Sequence, residues 1–239
     1  MKRVLVVFAA ACTSVSANPT TAGSGSSSKE APAAQFEHDM MVRFHMHENF
    51  GLLRAIEKLL LRGKLDEARD LARAIAVAPD EPGANAWSAQ ATRVRDQAGA
   101  LAGAKTVEEA CFAEAKLAHE CASCHVASGA MPEFASPPKM PPDRPSIDAR
   151  MVRHLWASER LWEGMVGMAD DSWAAGLDVL AVTPLPASEL GADRQPYARK
   201  LQQLAETARK MKNVDQDRTK IYGEMLATCA ACHTVRRSK

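Results

Sequence analysis

The sequence predicts an all-α fold made of two tandem units of four helices. Three observations predict it. The composition is rich in Ala, Leu and Met and only 5% aromatic, which favours helices over sheets. Apolar residues recur at three- and four-residue spacing, and no stretch alternates with the two-residue period of a strand. The pattern Cys-x-x-Cys-His occurs twice, 108 residues apart from His125 to His233, which marks an internal repeat. A chain of 239 residues, 46% hydrophobic, can bury one large core or two of about 100–120 residues each.

Residues 1–34 read as a leader and a tether. Lys2 and Arg3 precede the apolar run Val4 to Ala11, which is too short to span a bilayer but suits an export signal. Ala9-Ala10-Ala11-Cys12 has the form of a bacterial lipoprotein box, with Cys12 as the lipidated residue. Val15-Ser16-Ala17 is an alternative cleavage site. The Thr/Ser/Gly/Pro-rich stretch that follows carries little to bury, and a tether directly after a cysteine favours the lipid anchor. These features predict a periplasmic or membrane-anchored extracytoplasmic lipoprotein of a bacterium. The net charge of +1 falls to −1 when residues 1–11 are removed, so the chain has no basic field for nucleic acid.

The first unit spans residues 35–128. Met41, His45, Leu52, Ile56, Leu59 and Leu60 define its opening helix. A second helix over Leu65 to Val77 stops at Pro79-Asp80-Glu81-Pro82-Gly83, and a third follows over Ala84 to Leu101. The amphipathic stretch Thr106 to Leu117 leads into the first motif. Residues 129–145 carry six prolines, through which no helix can run, so they form a linker or extended strap.

The second unit spans residues 146–239. Met151, His154, Leu155, Leu161, Trp162, Met165 and Met168 mark its opening helix. Trp173 to Val182 stops at Pro184-Leu185-Pro186, Gln195 to Met211 follows, and Val214 to Leu226 leads into the second motif.

Cys121-Ala122-Ser123-Cys124-His125 and Cys229-Ala230-Ala231-Cys232-His233 match the attachment sequence of c-type haem. Two thiols at this spacing can add to the two vinyl groups of one porphyrin, and the adjacent histidine is then held under the iron. With 6 Cys and 7 His in 239 residues, chance predicts about 0.004 matches. A zinc site would require the two pairs to converge, and a thioredoxin-like dithiol should sit beside a β-α-β pattern that is absent here. The sequence therefore predicts two haem c groups, held by Cys121, Cys124 and His125 and by Cys229, Cys232 and His233, with His125 and His233 as proximal iron ligands. Cys111 reads as a small buried apolar residue.

This layout resembles the class II c-type cytochromes, the cytochrome c-prime group, over roughly residues 36–128 and 146–237. The resemblance rests on the two motifs, each at the end of a unit, and on four helical segments before each linker or terminus. It implies two tandem four-helix bundles, each with one covalent c-type haem near the end of its last helix. Tandem duplication and the proline strap depart from the group's pattern. The resemblance also implies that a first-helix side chain covers the distal haem face. By helical register His45 is the first candidate in the first unit, Met46 the second and His47 the third. In the second unit His154 is the candidate and Met151 its rival.

Two strong protein ligands per iron would make an electron carrier, serving redox partner proteins and without enzymatic activity of its own. An open iron would make a protein that binds or senses gas ligands. A di-haem peroxidase is disfavoured, because its motifs would lie early in each domain.

Overall fold

A computed structural model describes residues 32–79, 88–134, 136–211 and 215–235. Cys12, the leader, most of the tether and Trp87 lie outside the described residues. Within them the chain is all-helical: α1 Pro32–Leu60, α2 Leu65–Ala76, α3 Ser88–Gly103, α4 Val107–Ser128, α5 Ile147–Val166, α6 Asp170–Val182, α7 Gln195–Ala208 and α8 Asp215–Thr234.

The helix ends follow local chemistry. The Thr106 hydroxyl accepts from the Glu109 amide at 3.1 Å and opens α4, while the Glu109 carboxylate accepts from the Lys105 amide at 2.7 Å. Gly129, in the left-handed conformation at φ 70°, closes the same helix four residues after His125. Ser146 caps α5 in the same way as Thr106 caps α4, through the Ala149 amide. Gly63, at φ 69°, turns the chain out of α1, and a side chain there would run into Thr234 at the end of α8.

One sequence expectation is corrected. Helix α5 ends at Val166, so Met168 stands outside it with φ 51° and does not extend the His154 face. The placing of the motifs agrees with expectation: α4 and α8 carry their Cys-x-x-Cys-His near their C-terminal ends.

The first four helices pack in chain order, and α4 returns against α1; the last four repeat the pattern, with α8 returning against α5. The two sets also meet. Helix α4 packs along α8 and touches α5, and α1 touches α8. Ile56, Leu117, Trp162 and Met225 belong to one continuous core that crosses both halves. Trp162 sits in this junction with ring centroids 6.3 Å from both Phe50 and Tyr222.

The proline-rich segment is non-helical from 130 to 144, apart from the undescribed residue 135, and is tied to α5. The Trp156 indole donates to the Pro138 carbonyl at 2.8 Å, and Arg153 donates to the Pro141 carbonyl at 2.5 Å. Phe134 packs where Gly167 has no side chain.

Candidate haem clefts

Each motif lies on a helix, so its spacing has a direct geometric meaning. Cys121 and Cys124 are separated by three residues and Cys121 and His125 by four, which puts all three on one face of α4. Cys229, Cys232 and His233 repeat this arrangement on α8.

Each face borders its own cleft. The first encloses about 1010 Å³ out to its open mouth and is lined by Cys121, Cys124 and His125 on one wall. Val42, His45, Met46, Phe50 and Leu53 of α1 also line it. The second encloses about 1080 Å³ and is lined by Cys229, Cys232 and His233 together with Met151, His154 and Leu155 of α5. Both are mostly apolar, as cofactor clefts usually are. The sequence-predicted pairs are thus brought together: His125 with His45 and Met46, and His233 with His154 and Met151. His47 is exposed and lines neither cleft.

The clefts differ in their distal walls. Met46 is 43% exposed and Met41 59%, although register placed Met41 on the inner face. His154 is more enclosed, and one of its ring nitrogens, Nε2, lies 3.2 Å from the Thr183 carbonyl oxygen.

Electrostatics suits a neutral cofactor attachment. Burial pushes the Cys121 and Cys229 thiols up to about 12. That penalises a thiolate, which a metal site or redox dithiol needs, but costs a thioether nothing. Burial also raises Cys124 and Cys232, opposed by Arg93 and Arg194 respectively. The imidazoles of His125, His154 and His233 are held below the usual histidine value, chiefly by burial, which keeps a ring lone pair free. His233 also acts on His154 directly, as befits two rings in one cleft. Nδ1 of His125 is buried without a hydrogen-bond partner among the described residues. In the same residues all five cysteines are free thiols, and no three His, Cys, Asp or Glu side chains converge to hold a metal. The residues present therefore fit a haem attached through each motif.

Neither cleft is built by one half alone. Val166 of α5 lines the first, and Glu57 of α1 and Leu61 of the turn after it line the second. Sequence reasoning missed Glu57, and with it a buried polar group between the clefts formed by Arg54, Glu57, Glu114 and Tyr222. The signal was present: Glu114 interrupts the apolar stripe Ala110, Cys111, Ala115, Ala118 and Cys121 of α4.

Comparison with known proteins finds no matching family model, no matching curated protein and no matching solved structure. The reading of the clefts rests on their own residues.

Proposed function

We propose that this chain is an exported di-haem c-type cytochrome that carries electrons between redox partner proteins. One observation carries the reading: each of two separate apolar clefts is lined by the cysteines and histidine of one complete Cys-x-x-Cys-His motif and by a second histidine from another helix. Each set of four helices would then be one haem-bearing bundle of the class II kind, the two packed through α4 and α8.

A bound haem supplies a reversible one-electron change at its iron. The chain's own residues do the rest. Cys121, Cys124, Cys229 and Cys232 would hold the two groups through thioethers, and His125 and His233 would be iron ligands. His45 and His154 would be the second ligands, with Met46 the alternative in the first cleft. The apolar walls exclude water, and the packing of α4 on α8 keeps the two attachment helices side by side for transfer between the groups. Cys12 supplies a lipid anchor on the extracytoplasmic side; no described helix is long and apolar enough to cross a membrane.

A second reading applies to the second cleft alone. The contact of His154 Nε2 with the Thr183 carbonyl favours a distal histidine that stays off the iron, leaving that face open to a gas ligand.

The intact mass of the exported protein tests attachment, with two haem additions expected. Cys121→Ala/Cys124→Ala should remove one and Cys229→Ala/Cys232→Ala the other; a chain without haem mass overturns the reading. Optical and low-temperature paramagnetic resonance spectra with carbon monoxide then separate the two functions. Two low-spin haems inert to carbon monoxide support electron transfer, and a high-spin haem that binds it supports gas binding.

A further inference from the structure

Between the two clefts lies a polar group that attachment of the haems does not use. Glu114 of α4 is fully buried, and both its carboxylate oxygens lack a hydrogen-bond partner among the described residues. Glu57 of α1 is 2% exposed, ion-paired with Arg54 and accepting a hydrogen bond from the Tyr222 hydroxyl at 3.1 Å. Arg54 is held over the Trp162 ring at 5.4 Å.

The charges do not balance. Two buried carboxylates share one guanidinium, which stays positive, so one carboxylate must take a proton or remain a bare buried charge. The pairing decides which. Glu57 has Arg54 and Tyr222; Glu114 has neither hydrogen bond, and burial followed by the Glu57 charge holds its carboxyl well above the usual range. The other titratable groups that act on this cluster are Lys58 of α1, Cys111 of α4 and Glu159 of α5, the last through Arg54. None of them supplies a second buried cation beside Glu114.

The position links this proton to both clefts. Glu114 lies seven residues, about two helical turns, before Cys121 on the same face of α4. Tyr222 lies seven residues before Cys229 on α8. Glu57 and Tyr222 themselves line the second cleft, and Glu114 acts electrostatically on Cys121, as Glu57 does on Cys229.

We propose that Glu114, with Arg54, Glu57 and Tyr222, is a buried proton-binding site that couples proton uptake to electron uptake at the two haem clefts. The inference rests on the di-haem reading above. Where the pH is high enough to ionise Glu114 in the oxidised protein, one electron from a donor enters a haem and one proton from solvent adds to the Glu114 carboxylate; both leave on oxidation. The second cleft, which Glu57 and Tyr222 line, is the way in. Added negative charge in a low-dielectric site raises proton affinity nearby, so the two uptakes favour each other.

The test is a spectroelectrochemical titration of the holoprotein between pH 5 and pH 9 (a range chosen to cover a raised carboxyl), with haem content established first by mass. A preparation without haem overturns the di-haem reading itself. With both haems in place, at least one midpoint potential should fall as pH rises, by at most about 59 mV per tenfold drop in proton concentration. Glu114→Gln, which keeps shape and removes the proton, should flatten that slope. The reduced-minus-oxidised infrared difference spectrum should show a protonated-carboxyl band that Glu114→Gln abolishes. Tyr222→Phe serves if Glu114→Gln does not fold, and should displace the slope along the pH axis. Potentials independent of pH, or a slope and carboxyl band unchanged in the variants of a haem-loaded protein, overturn the proton site alone.

Discussion

Phe112 of α4 fills the space that Gly223 of α8 leaves open: a Cβ on Gly223 would lie 2.7 Å from the Phe112 ring and 3.2 Å from its Cα. The two motif helices are therefore in near backbone contact, and this glycine sets their separation.

Gly223→Ala should push α8 from α4 and destabilise the fold by about 1–3 kcal/mol, the usual range for overpacking. Chemical denaturation measures it. Adding Phe112→Ala should restore only part of the loss, because the Phe112 backbone also crowds the site. Full stability in the single variant would show that the helices do not approach this closely.

Stability should depend on pH through Glu114. Its folded carboxyl sits well above 4.5, so the folded state binds the proton more tightly than the unfolded chain. The sign follows from linkage: stability is unpenalised below about pH 4.5 and declines as pH rises, until the folded carboxyl itself ionises. Denaturation midpoints across that window should fall in the parent and stay flatter in Glu114→Gln. A parent curve that rises through the same window would rule out a buried neutral Glu114.

If the di-haem proposal holds, His154→Ala and His45→Ala should each act on one haem only. Loss of a distal ligand turns that haem high-spin and lets it take up carbon monoxide, while the other keeps its spectrum. If His154→Ala leaves the second haem unchanged, the Thr183 carbonyl, and not the iron, is the partner of that ring.

Trp156→Phe removes the indole that donates to Pro138 and should cost about 0.5–1.5 kcal/mol of strap attachment. Limited proteolysis between residues 130 and 145 should speed up, and more so with Arg153→Ala, which also frees Pro141. Equal cleavage rates in parent and variants would mean that the strap is held elsewhere.

The helices were legible because their signals are local. Pro79 and Pro184 end α2 and α6 by sterics, and Thr106 and Ser146 start α4 and α5 by capping. The cleft residues were legible for a related reason: on a helix the motif spacing itself fixes a common face, and register sorted His45 and His154 from His47. The contact of α4 with α8 was not legible, since it joins segments about 100 residues apart and is written only in the fit of Phe112 to Gly223. Periodicity carried α5 on to Met168, whereas the chain turns after Val166 through a backbone conformation that a pattern of apolar residues does not encode. The buried charges were only half legible: Glu114 within an apolar stripe signals a buried acid, but its partners Arg54, Glu57 and Tyr222 are brought to it only by the fold.

The shared walls of the clefts bear on how such a chain can change over generations. With Val166 serving the first cleft and Glu57 and Leu61 the second, a deletion that discards either half also damages the site it spares. Duplication can create two independent copies, but exchange of wall residues works as a ratchet: once each copy leans on the other, the pair is inherited as a single unit.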